Sequence, residues 1–379
     1  MPIPLSSPDI TDAEIAAVTA VLRTPHLCFG PELTAFEEAL ASYVGAPHAV
    51  AVSSGTAGLH LALITLKIGA GDEVIVPSFA FIAVANTLHQ SGAIPVFVEI
   101  DPITLNLAPA AVERAITPRT RAILVVHTFG VPAEMDALVE IARRHHLLLI
   151  EDACEALGGD FGEGTSKKRC GSFGDLAVFG FYPNKQITTG EGGAVIAHDP
   201  VHAVHLRSLR NQGSQPGGGW YNNAEQGYNY RLSDLACALG RVQLSRIEEI
   251  LTLRRQAAER YDALLRPIPG LELPPLALPR RTISWFVYVV RLPEGVDGDR
   301  VKAALALRGI AASRYFAPIH HQPAWRRRPS ARLARLPLTE ALAPRTLALP
   351  FFNRITAGQQ AEVAAALGEI LASRTYSTV

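Results

Sequence analysis

Between about residue 48 and residue 200 the chain alternates short apolar, β-branched runs with stretches of helical period. The runs are 48–52, 73–76, 94–99, 122–126, 147–150, 176–181 and 194–197. Apolar positions three and four apart mark helices at 57–68, 81–91, 108–115 and 134–146. Runs that are apolar throughout, separated by helices, predict a mostly parallel sheet covered on both faces. Ahead of this block, 10–24 and 31–44 predict two lead helices, with Asp12 placed to cap the first. Beyond it, 233–265 is one long amphipathic helical region suited to connecting two domains. A Pro- and Arg-rich stretch at 266–282 reads as loop, followed by a strand at 286–292, a helix at 300–307, a further strand or loop, and a closing helix at 357–371. The expected architecture is a large seven-stranded α/β domain over 1–245, then a connecting helix and a small α+β domain over 246–379.

Composition narrows the function classes. With 379 residues, 48% hydrophobic and 18% charged, the chain is globular, and no repeat divides it. A formal net charge of zero gives no basic excess for nucleic acid. Arg326, Arg327, Arg328, Arg332 and Arg335 form the nearest thing to a charge run, either a solvated loop or one that contacts an anion. Cys28, Cys154, Cys170 and Cys237 have no C-x-x-C spacing, which fits free thiols better than disulfides or zinc. No basic leader precedes an apolar stretch, and no run could span a bilayer, so a cytoplasmic location without membrane, metal or nucleic acid is expected.

In a parallel sheet, ligands bind beyond the carboxyl ends of the strands. After the first strand, Ser53-Ser54-Gly55-Thr56-Ala57 leads straight into a helix, either an ordinary capped turn or an anion site made of free N–H groups. After the second come Phe79 and Phe81, either core or a platform for a planar ring. After the fifth come Glu151, Asp152 and Glu155, which need a cationic partner if buried. After the sixth, Lys185 stands in a turn followed by Thr189-Gly190-Glu191-Gly192-Gly193. Taken singly, each has a bland explanation. Together they supply a phosphate turn, a stacking aromatic, an acid for a pyridinium and an amine for an aldehyde, which are the groups pyridoxal 5'-phosphate (PLP) requires.

In these stretches the chain resembles the DegT/DnrJ/EryC1/StrS family of PLP-dependent sugar aminotransferases, of the fold-type I class. The matching segments are SGTAGLHLAL at 54–63, GDEVIVPSF at 71–79, EDA at 151–153, GSFGD at 171–175, FYPNK at 181–185, TGEGG at 189–193, LRNQG at 209–213, GYNYRL at 227–232 and PIHHQP at 318–323. The resemblance implies Lys185 as the Schiff-base lysine and proton carrier, and Asp152 as partner of the ring nitrogen. It implies Phe81 stacked on the ring, phosphate binding by Gly55, Thr56 and Ala57, and Glu155 where many members carry Gln or His near the ring hydroxyl. Asn229 would reach the cofactor phosphate of a second subunit, making a homodimer with shared sites. Arg231 would meet the donor carboxylate, and His320 would line the sugar pocket. One departure is Gly180, where many members have a serine that binds the phosphate; its loss removes ~1 kcal/mol of cofactor binding.

The implied activity is ping-pong transfer of an amino group from L-glutamate or another amino acid, through pyridoxamine 5'-phosphate, to a nucleotide-linked keto-sugar. The TGEGG and GYNYRL segments resemble members that aminate C4 of 6-deoxy-4-keto sugars. A cyclitol or other non-nucleotide ring ketone is an alternative acceptor. Pyridoxamine-dependent sugar dehydratases carry His in place of the lysine, so Lys185 argues against them. A PLP-binding transcription regulator would need a DNA-binding module, and the lead helices leave no room for one. The loops expected to select substrate are 160–170, 212–226 (with Gly217-Gly218-Gly219-Trp220-Tyr221) and 314–330.

Overall fold

The computed structural model describes residues 2–214, 222–330 and 334–373. Its elements run α1 (Asp12–Leu22), α2 (Pro31–Val44), β1 (His48–Val52), α3 (Gly55–Thr65), β2 (Glu73–Pro77), α4 (Ala83–Ser91), β3 (Ile94–Val98), α5 (Pro109–Ala115), β4 (Thr120–Val126), α6 (Met135–Arg144) and β5 (Leu148–Asp152). They continue with β6 (Asp160–Phe161), β7 (Lys168–Arg169), β8 (Leu176–Gly180), β9 (Gly193–Ala197), α7 (Pro200–Arg210), α8 (Asp234–Ser245) and α9 (Ile247–Leu265). After these come β10 (Arg281–Thr282), β11 (Tyr288–Arg291), α10 (Gly298–Leu307), α11 (Pro337–Leu342), β12 (Thr346–Leu349) and α12 (Ala357–Ala372).

The main sheet has seven strands in the order β1-β9-β8-β5-β4-β2-β3. All its pairings are parallel except those of β9, which runs antiparallel to both β1 and β8. The carboxyl ends of β1, β8, β5, β4 and β2 therefore share one edge. Alternation along each strand sends neighbours to opposite faces. Val50 and Val52 of β1 join Val74, Val76, Leu176 and Val178 in the core under α3, α4 and α7. Ala49 and Ala51 join Ala177 and Phe179 in the core under α2 and α8, around Phe36 and Leu40. With both faces covered, every residue of β2 and β9 is buried, which explains their unbroken apolar runs.

The expected strands all appear, with ends shifted by at most two residues. The expected single helical region at 233–265 is two helices that meet at Arg246 (φ −100°, ψ 8°). Neither Gly nor Pro marks the break. Arg246 is drawn instead to Asp9 (3.0 Å) and Glu14 (2.8 Å) of the N-terminal segment. Two further features were not expected from the sequence: α7, and a three-stranded sheet in the order β10-β6-β7 whose two-residue strands are too short to show a period. β11 and β12 pair antiparallel, and their Tyr288, Val290, Leu347 and Leu349 pack with α9, α10 and α12 in a separate core that also takes in Ile3. Among the described residues no helix is long and apolar enough to cross a membrane. The four cysteines are free thiols.

Candidate active site

Three turns meet at the carboxyl edge of the sheet. Ser54 caps α3, its hydroxyl accepting the Ala57 N–H at 3.0 Å. That leaves the N–H groups of Gly55 and Thr56 at the open end of the helix, without a partner among the described residues. The turn is pressed against the sheet. A Cβ on Gly193 would stand 2.6 Å from the Ser54 carbonyl carbon, and one on Gly55 would stand 2.8 Å from Cys154 Sγ and 3.3 Å from Gly180 Cα. Only glycine allows this approach. A Cβ at Gly180 would lie 3.2 Å from Cys154 Sγ, so the thiol occupies the space that a serine there would need.

Lys185 follows β8 in a turn closed by its own N–H to the Tyr182 carbonyl (2.9 Å). Its Nζ lies 3.6 Å from Glu155 Oε1 and 4.0 Å from the centre of the Phe286 ring. Glu155 is buried, and its other oxygen accepts the Phe129 N–H at 2.8 Å. Burial pushes the Glu155 carboxyl above its ordinary range, against the pull of Lys185. Asp152, the last residue of β5, is also buried and accepts the Cys154 N–H at 3.1 Å. It has no cationic side chain within ion-pair distance among the described residues. A buried carboxylate in that position calls for a cation from outside the chain.

Of the three acids Glu151, Asp152 and Glu155 at the end of β5 and just beyond it, Glu151 has a different task. It points to the opposite side from Asp152 and accepts from His127 Nε2 (2.9 Å) and from the N–H groups of Gly171, Phe173 and Gly174. His127 Nδ1 in turn accepts the Ala133 N–H at 3.1 Å, so the ring proton sits on Nε2, facing Glu151. The GSFGD segment is thus pinned to the sheet by a saturated carboxylate.

Phe81 stands 59% exposed beyond β2. The segment carrying Asn229 and Arg231 is brought to the α3 turn by the Ser53 N–H to the Tyr230 carbonyl (2.9 Å). Asn229 is exposed, and Arg231 Nη1 donates to Asn211 Oδ1 at 3.1 Å, with no carboxylate partner among the described residues. His320 is buried, with Nδ1 2.6 Å from the Ser78 hydroxyl and Nε2 3.2 Å from Glu340. It ties the 318–323 segment to the end of β2. Residues 217–221 and Arg332 lie outside the described residues. Tyr315 falls in the 314–330 loop and Phe286 in the strand expected at 286–292, but neither they nor Gln186 were singled out as site residues. Tyr315 lies near Glu155 and Asn184, its phenol raised by burial. Gln186 Nε2 donates to the Glu155 carbonyl at 2.6 Å and to Ser284. Gln186 could have been suspected from its place next to the lysine. A cavity of about 370 Å³ lies at the far edge where β5 and β8 begin, lined by Leu147, Asp175 and His198, and contains neither Lys185 nor its partners.

The model of the DegT/DnrJ/EryC1/StrS aminotransferase family matches residues 8–368. The chain belongs to this family. It is 42% identical over 347 residues to the GDP-perosamine synthase of Caulobacter vibrioides, covering 90% of this chain and 91% of that one. Among solved structures it is similar to DesV of S. venezuelae (37% identity, TM-score 0.87, 98% of each chain). It is also similar to the sugar aminotransferase Spr1654 of Streptococcus pneumoniae, solved in PLP and PMP forms (26% identity; TM-scores 0.91 and 0.90; 98% of this chain and 99% of that one). The protein is a PLP-dependent aminotransferase. Its residues fit that cofactor. The α3 terminus offers bare N–H groups for a phosphate, Asp152 lacks a cation, Lys185 offers an amine, and Asn184 Oδ1 is buried without a hydrogen-bond partner next to it.

Proposed function

We propose that the protein transfers an amino group from L-glutamate to C4 of a nucleotide-linked 4-keto-6-deoxy sugar. The observation that carries the site assignment is Lys185 facing a buried acid at the same sheet edge as the unpartnered Asp152 and the α3 N-terminus. The sugar class is supported by the family and by the similarity to an enzyme named for a GDP-linked product.

When bound, the cofactor supplies an electron sink that stabilises negative charge on the carbon losing its proton. The chain's own groups do the rest. The N–H groups of Gly55 and Thr56 hold the phosphate, with Ala57 committed to the cap. Asp152 keeps the ring nitrogen protonated, which deepens the sink. Phe81 covers a ring face. Lys185 removes the proton from the donor's α-carbon and returns one to the cofactor's exocyclic carbon, then works in reverse on the sugar. Phe286, packed on the amine, keeps bulk water from it. Arg231 presents a planar fork to the donor carboxylate, and His320 orders the loop that borders the sugar. Asn229 acts across a homodimer on the partner's phosphate, and the connecting helices join a cofactor domain at 1–245 to a small domain at 246–379.

The test is to convert the enzyme to its amino form with L-glutamate and offer GDP-, dTDP- and UDP-linked 4-keto and 3-keto sugars, following return of the PLP spectrum and the product mass. Turnover of a 4-keto nucleotide sugar supports the proposal. Turnover of a free cyclitol ketone alone, or amination only at C3, contradicts it.

A further inference from the structure

Glu155 is held where it cannot retreat from Lys185. Its backbone carbonyl is bound by Gln186 and its Oε2 by the Phe129 N–H. Phe129 takes a left-handed φ of 58° to aim that N–H, and the adjoining Gly130 (φ 84°) has no room for a side chain, because a Cβ would meet the Ser284 carbonyl. The ionisable groups facing Glu155 are Lys185 from the β8 turn, Asp152 and Cys154 from its own turn, and Tyr315 from the C-terminal part. Lys185 is the only cation among them.

We propose that Glu155 is ionised against the Lys185 ammonium before the cofactor is captured and takes up a proton when it is captured. Capture forms a C=N bond between the lysine nitrogen and the aldehyde carbon, and the aldehyde oxygen leaves as water. One positive charge stays on the nitrogen. The ring brings an ionised hydroxyl of its own into the pocket, so two anions then share one cation in a medium of low dielectric. Asp152 is engaged by the ring nitrogen, and burial already pushes the Glu155 carboxyl upward. The proton therefore goes to Glu155, which changes from acceptor to donor. A glutamine of the same shape would need no proton. Glu155 is in this sense a positioning residue that couples cofactor retention to pH, an inference that rests on Lys185 as the cofactor-bearing lysine.

The test is PLP binding to apoenzyme by calorimetry in two buffers of different ionisation enthalpy, from pH 7 to pH 9, for wild type and Glu155→Gln. The glutamine's oxygen keeps the Phe129 hydrogen bond. Wild type is expected to take up about one more proton per site than the variant, and its PLP affinity to fall about tenfold more per pH unit. Equal proton uptake, with the lysine-dependent absorption band present in both, overturns the proposal. No such band in wild type overturns the Lys185 assignment instead. If the variant does not fold, infrared difference spectra of wild type decide. A protonated-carboxyl band appearing on PLP binding, shifted in D2O, supports the proposal, and its absence overturns it.

Discussion

Cys154 and Gly180 show how two residues settle one small volume. With the thiol 3.2 Å from where a Gly180 Cβ would stand, Gly180→Ser alone is crowded. The double variant C154A/G180S makes room for the hydroxyl. It is expected to bind PLP tighter by ~1 kcal/mol, about fivefold, in a fluorescence titration, while Gly180→Ser alone gains less. An equal gain from the single variant would show that the thiol does not hold that space. Glu151 makes the opposite kind of prediction. Glu151→Ala leaves three buried donors and the half-buried Phe173 N–H without an acceptor and is expected to cost ~3–5 kcal/mol in chemical denaturation. A loss under about 1 kcal/mol would mean that water replaces the carboxylate.

At the scale of elements, the sheet was legible because burial on both faces writes each strand as an apolar run. The candidate site was legible because PLP needs several unlike groups, and candidates for them fall at successive strand ends. The helix break at Arg246 was not, since its cause is tertiary: a guanidinium drawn 3.0 Å from Asp9 and 2.8 Å from Glu14, far away in sequence. Individual roles for Phe286 and Tyr315, the latter in the 314–330 loop, were not legible for the same reason, since these aromatics of the C-terminal part reach Lys185 and Glu155 only after the two parts meet. The Arg246 cluster also sets an acid limit. Burial alone would raise Glu14, but hydrogen bonds from Thr11, Arg246 and Gln243 lower it from 4.5 to about 2. Because the folded value is depressed, its stabilisation is full above pH 4.5 and is lost as pH falls through about 2. Arg246→Ala should lower stability at pH 7 by on the order of 1–2 kcal/mol and flatten the decline between pH 4.5 and 2. Parallel pH–stability curves for variant and wild type would refute that link.

At the scale of the whole molecule, the exposed Asn229 beside the α3 turn is the residue that makes the site a shared one in the proposed dimer. Lys185→Ala and Asn229→Ala should each be nearly inactive. After unfolding and refolding together, mixed dimers would carry one site with both residues intact. The mixture would then recover about a quarter of wild-type activity. No recovery, with mixed dimers confirmed by mass, would place Asn229 in its own subunit's site.

The central claim is that Lys185 captures the cofactor and carries its protons. The direct measurement is the absorbance spectrum of the purified protein with PLP, before and after L-glutamate, for wild type and Lys185→Ala. Wild type should show a band at the edge of the visible that glutamate shifts to shorter wavelength, and the variant should show no such band. A variant spectrum that matches wild type and responds to glutamate would contradict the account.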